Sequence, residues 1–96
     1  ESQVILNGSY NINFTMDLVL KDTGLFDDLA KKLGAPLEIS PKVVEIFKDG
    51  QKKYGSRAWS SMIVKRMEDL NNIDFRANGF PEELTDNEPE EKGYEI

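Results

Sequence analysis

Three amphipathic stretches, short links between them and a polar end without periodicity predict an all-α fold for this chain. The expected architecture is a small three-helix, bundle-like domain over residues 1–70, with an irregular acidic tail over residues 71–96. Ninety-six residues with 39% hydrophobic content suffice for one small domain but bury only a modest share of their surface. A core of this size is often completed by a neighbouring domain or by a second copy of the chain.

The first helix is expected from Phe14 to Leu33. At 100° per residue, Phe14, Leu18, Leu25, Leu29 and Leu33 share one face, widened by Val19, Phe26 and Ala30. Asn13 suits its N-cap, and Gly34 followed by Pro36 suits its end. Gly24 inside the pattern costs roughly 1 kcal/mol relative to alanine, so it marks either close packing or a ligand.

The second helix is expected to open on Ser40 as N-cap with Pro41 at the first helical position. Val43, Phe47, Gly50 and Tyr54 form its stripe, with Val44 alongside, and Gly55 and Ser56 break it. The third runs from Ala58 to about Leu70, carrying Trp59, Ile63, Met67 and Leu70 on one side. From Asn71 onward, Asn71-Asn72, Asn78-Gly79, Pro81 and Pro89 punctuate a segment whose few large apolar side chains are scattered. That composition predicts a mobile or extended tail.

The net charge of −6 is unevenly spread. Residues 1–70 are neutral, and the tail carries the whole excess against only Arg76 and Lys92. An acidic chain with no basic stripe has nothing with which to neutralise phosphates, so DNA and RNA are not expected partners. No apolar run is long enough to span a membrane. The chain has no cysteine and no histidine, which removes disulfides, thiolate sites and the commonest general base and zinc ligand. The tail carboxylates lack the spacing of a calcium loop. Ser60 and Ser61 have no base beside them in sequence and read as ordinary hydroxyls. Glu1 in place of a methionine points to a processed or truncated piece.

Two charges break the pattern. Lys21 and Asp22 fall within or beside the apolar stripe of the first helix, where a charge is costly unless paired or hydrogen-bonded. Either Lys21 snorkels and Asp22 pairs with a neighbouring helix, through Arg57 or Arg66, or the two face a ligand cleft. Phe14, on pattern alone, reads as a core aromatic.

The stretch Phe14-Thr-Met-Asp-Leu-Val-Leu-Lys21-Asp22-Thr-Gly24-Leu25 resembles the F-x6-K-D-x-G-L signature of the β-hydroxyacid dehydrogenases, the family of 3-hydroxyisobutyrate dehydrogenase. Leu33-Gly34-Ala35-Pro36-Leu37 is similar to the family's G-x-P turn, and Tyr54-Gly55-Ser56-Arg57-Ala58-Trp59-Ser60-Ser61 to its G-Y/G-x-x-D-F/W-S segment. The resemblance covers about residues 4–70 and departs from the pattern at Thr23, Phe26 and Ala58.

The resemblance implies an identity for the fold: a piece of the C-terminal domain, like that of 6-phosphogluconate dehydrogenase. It implies an NAD- or NADP-dependent oxidation of a small 3-hydroxy acid, or reduction of the matching semialdehyde. Lys21 matches the family lysine near the nicotinamide, while Asp22 and Phe14 match residues bordering the substrate pocket. The glycine-rich loop that receives the pyrophosphate, and the catalytic lysine of the preceding helix, are absent from this sequence. No catalytic residue is therefore expected here, and the isolated chain is expected to be inactive. Its own N-terminal Rossmann domain would hold most of the cofactor, in a homo-oligomer of the cytoplasm or mitochondrial matrix. The rival reading, from a different class, is a helical interaction module whose acidic tail meets a basic partner.

Overall fold

The computed structural model describes residues 1–82 and 87–93. Among these the regular structure is helical: α1 (Ser2–Asn7), α2 (Met16–Lys32), α3 (Ser40–Tyr54), a 3₁₀ segment (Ser60–Val64) and α4 (Lys65–Asn71). The only pairing of extended backbone among the described residues is an isolated antiparallel bridge between Thr15 and Trp59. Among the described residues no helix is long and apolar enough to cross a membrane.

That bridge explains how α2 begins. The first amides of a helix have no partner inside it, and here the chain supplies them from the segment before the 3₁₀ turn. The Met16 amide donates to the Ala58 carbonyl at 2.9 Å, and the Asp17 amide to the Ser56 carbonyl at 3.0 Å. In return the Ser60 amide donates to the Phe14 carbonyl at 2.7 Å. Asp17 places a carboxylate in the first turn, accepting from the Leu18 amide at 3.0 Å and from the Thr15 hydroxyl. The start thus lies at Met16 rather than Phe14. Asn13, expected as the cap, instead takes a left-handed backbone in the approach loop.

The end of α2 follows the sequence. Gly34 adopts φ 65°, its amide reaching the Lys31 carbonyl at 3.2 Å while the Ala35 amide reaches Ala30 at 2.9 Å. These two bonds form a Schellman closure, which needs the positive φ that glycine adopts without a steric penalty.

The α2–α3 pair is the largest interface. On α3 the stripe of Val43, Phe47, Gly50 and Tyr54 is buried or half-buried, as expected. Ser40 is the first helical residue rather than the cap. Its hydroxyl donates to the Asp27 carboxylate at 2.5 Å, which gives a partner to an acid that α2 buries.

On α2 the buried side chains are Met16, Asp27 and Ala30. The face expected to be core is covered only in part: Leu18 and Val19 are half-buried and Ala30 is buried, while Leu25, Phe26, Leu29 and Leu33 are each more than half exposed. Hydrophobic periodicity locates an apolar face but not what covers it. α3 is the main element packed on α2, and it leaves these four side chains largely open.

The third expected helix is split. Ser60–Val64 winds as a 3₁₀ turn before α4 begins. A 3₁₀ turn advances about 120° per residue instead of 100°, so five residues shift the phase by roughly 100°. Met67 and Leu70 swing outward to 48% and 78% exposure, and Glu68, at 1%, takes the inward position. Val4, Tyr10, Met16 and Ala30 are the buried hydrophobic residues. Residues 73–82 are exposed and irregular, yet the Ala77 amide donates to the Leu6 carbonyl of α1 at 3.0 Å. The tail beyond them includes residues 83–86 and 94–96, which lie outside the described residues.

Candidate functional site

The second turn of α2 carries Lys21 and Asp22 on its solvent side. Both side chains are 61% exposed, and the Lys21 ammonium lies 3.6 Å from Asp22 Oδ1. Neither Arg57 nor Arg66 partners Asp22. Arg57 pairs with Asp17 at 3.4 Å, and Arg66 with Asp49 at 2.7 Å. The two charges therefore sit in water at the edge of an uncovered apolar face, where a modest mutual attraction holds them.

Lys21 also borders a groove of about 480 Å³ between α2 and α3, shared with Gly24, Asp28, Lys31, Lys48 and Gln51. Gly24 lines the same groove, and a β-carbon there would meet nothing within 4 Å among the described residues. Among the described residues no other element packs against it, so the space beside Lys21 is open there.

Asp22 and Phe14 lie off this groove. Successive helical residues point about 100° apart, so Asp22 projects toward Leu25 and Phe26 while its carboxylate still reaches back to Lys21. Phe14 stands before the start of α2, its carbonyl accepting from the Ser60 amide and the residue 38% exposed. The structure thus brings the heads of Lys21 and Asp22 together and leaves Phe14 at the foot of the same helix, roughly two turns away.

The groups with displaced titration are elsewhere. Between α3 and α4, the hydrogen bond from Arg66, with Lys53 assisting, holds the Asp49 carboxyl below the usual range. The Tyr54 hydroxyl donates to Asp69 at 2.7 Å. Burial first, then that carboxylate, push the Tyr54 phenol up to about 12. These contacts fasten one helix to the next. Pattern reasoning also missed α1 and a hydrogen-bonded triad in which the partly exposed Arg76 closes over the buried Tyr10 and Glu68. The one signal available was Arg76 itself, a cation in a segment otherwise dominated by acids. Among the described residues no group of three acidic side chains converges as a metal site.

A family model for the NAD-binding domain of NADP-dependent 3-hydroxyisobutyrate dehydrogenase matches residues 2–67. That is more than half of the chain, and the chain belongs to this family. No curated protein and no solved structure matches it. Membership makes the chain part of a dehydrogenase that works with a nicotinamide dinucleotide.

The residues present fit one contact to such a cofactor and not the whole of it. Lys21 offers an accessible cation beside open space, suited to a ribose hydroxyl or an anionic group. The glycine-rich turn that cradles a pyrophosphate is missing from the sequence, and a single lysine does not replace its row of backbone amides.

Proposed function

We propose that this chain is the C-terminal helical domain of an NAD(P)-dependent 3-hydroxyacid dehydrogenase, of the kind found in 6-phosphogluconate dehydrogenase. In this reading it forms one wall of the substrate and cofactor cleft and has no turnover by itself. The observation that carries it is the state of Lys21 within the matched stretch: exposed, beside an unpacked Gly24, and held only by Asp22. The open face of Leu25, Phe26, Leu29 and Leu33 supports a role for α2 as a surface completed by the enzyme's Rossmann domain or by a second copy.

The nicotinamide supplies the hydride acceptor or donor. Lys21 is the residue that binds and orients it, exchanging its weak pair with Asp22 for a contact on the cofactor. Asp22, an acceptor next to that cation, receives a hydrogen bond from the hydroxy acid. Phe14, with one side exposed, forms an apolar rim that keeps water from the reacting carbon.

Calorimetric titration of the 96-residue chain with NAD and with NADP tests the division of labour. The expected result is no binding tighter than about 100 μM, roughly 5 kcal/mol on the affinity scale. The full enzyme is expected to bind one of the two and to oxidise 3-hydroxyisobutyrate or a close analogue. Tight binding by the chain alone would overturn the reading, because the affinity would then reside here.

A further inference from the structure

We propose that Arg76 is a positioning residue, a latch that ties the segment after α4 onto α1 and, through Tyr10, fixes the loop that presents Phe14. Arg76 Nη1 donates to Glu68 Oε1 at 3.1 Å and to the Ile5 carbonyl at 3.2 Å. Its Nη2 donates to Glu68 Oε2 at 3.3 Å and to the Tyr10 hydroxyl oxygen at 2.6 Å. The guanidinium carbon stands 5.1 Å from the centre of the Tyr10 ring. One side chain thus engages α1, the loop after α1, and α4 together.

The site is built to admit it. Gly8 closes α1 with φ 81°, and a β-carbon on Gly8 would lie 2.6 Å from Arg76 Nε. Glycine therefore supplies both the left-handed turn and the room for the guanidinium. Glu68 is 1% exposed and accepts from the Tyr10 hydroxyl at 2.7 Å. Arg76 brings the positive charge that makes this buried carboxylate tolerable. Beyond the latch, the Asn7 side-chain amide donates to the Pro81 carbonyl at 2.6 Å, continuing the strap along α1.

The link to the proposed cleft runs through Tyr10. Its backbone is left-handed, with φ 56°, a conformation that a bulky residue holds only under constraint from its surroundings. The Tyr10 amide donates to the Val4 carbonyl at 3.0 Å, the Ser61 hydroxyl donates to the Tyr10 carbonyl, and the phenol is pinned between Glu68 and Arg76. Four residues later the chain reaches Phe14, whose carbonyl takes the amide of Ser60, the neighbour of Ser61. Holding Tyr10 sets where Phe14 emerges. Glu68 and Arg76 both lie beyond the matched residues 2–67, whereas Gly8 and Tyr10 lie within them, so the cation and the carboxylate of the latch come from outside the family match. Its effect on substrate rests on the reading of Phe14 as a pocket wall; the latch itself does not.

The test compares Arg76→Met, Arg76→Lys and the double variant Glu68→Gln with Arg76→Met in the full protein. The double variant removes both charges, so no unpaired carboxylate is left buried, and a cooperative unfolding transition is checked before exchange is read. In both variants that lack the cation, the Tyr10 and Ala77 amides should exchange with solvent about tenfold faster. KM for the hydroxy acid should rise several-fold, with kcat and the dinucleotide KM within about twofold. Arg76→Lys should restore part of both effects. Exchange at Tyr10 and Ala77 that is unchanged in the double variant would overturn the latch. Faster exchange with an unaltered KM, in an enzyme where Phe14→Ala does raise KM, would overturn its positioning role. If Phe14→Ala leaves KM untouched, the pocket-wall reading and with it the positioning role fall, while amide exchange still decides the latch.

Discussion

Gly50 of α3 faces Met16 of α2 so closely that a β-carbon on the glycine would lie 3.0 Å from the methionine sulfur, and 2.8 Å from Ile63 Cδ1. Met16 is fully buried. The contact therefore joins α2, α3 and the 3₁₀ segment at one point, and it sets how near the two long helices approach.

Replacing this glycine brings two effects into opposition. Alanine in a helix interior gains about 1 kcal/mol over glycine, while forcing a methyl into a filled core costs typically 1–3 kcal/mol. Met16 has no solvent to move into, so the crowding wins. Gly50→Ala should destabilise the domain by about 1 kcal/mol, measured by urea unfolding. Adding Ile63→Val, which removes the closest methyl, should recover part of the loss. A Gly50→Ala variant more stable than the parent would show that the interface has slack.

Glu68 gives the fold a dependence on acid. Burial raises its pKa and is the largest single influence, but hydrogen bonds from Tyr10 and Arg76, with the Arg76 charge, outweigh it and hold the carboxyl below its ordinary 4.5. A carboxyl with a lowered folded-state pKa binds fewer protons folded than unfolded, so stability rises with pH across that interval. Its contribution is complete above about pH 4.5 and is lost as the pH falls through the lower folded value. Glu68→Gln should cost about 1 kcal/mol at neutral pH, a modest figure because Arg76 is partly exposed. As the pH falls below about 4.5 its stability should decline less steeply than the parent's. Parallel curves of urea midpoint against pH would show that other carboxylates set the acid limit.

The particular residues show what was legible in the sequence and what was not. Gly34 and the α3 stripe were readable because local chemistry decides them: a positive φ, and a period of 3.6 residues packed on one neighbour. The exposure of Leu25 and Leu29 was not, since periodicity cannot tell a core from an uncovered face. The inward turn of Glu68 was hidden for a different reason. It depends on five residues adopting a tighter helix, and that follows from the Ser56–Ser60 backbone being drawn into pairing with the start of α2. The same long-range demand moved the first turn of α2 from Phe14 to Met16. The motif that led to Lys21 was readable as a resemblance, while the open space beside it required the structure.

Lys21 can now be tested with its structural role separated from its proposed one. Its side chain is 61% exposed and its single ion pair, with Asp22, spans 3.6 Å. Exposed pairs of that kind contribute about 0–1 kcal/mol, so Lys21→Ala should leave the melting temperature of the full enzyme nearly unchanged. Had the lysine been buried in a core pair, its loss would have stranded Asp22 at a cost of roughly 3–5 kcal/mol. A lysine that holds the cofactor contributes a charge-assisted hydrogen bond worth about 1.5–3 kcal/mol. The expected consequence is a fall in kcat/KM of roughly 10- to 100-fold. Lys21→Arg keeps the charge but changes its shape, and should fall between the two. Measuring thermal stability and steady-state kinetics on the same preparations separates the outcomes. A large drop in melting temperature with near-normal kinetics in the folded fraction would sink the cofactor role, and so would unchanged kinetics with unchanged stability.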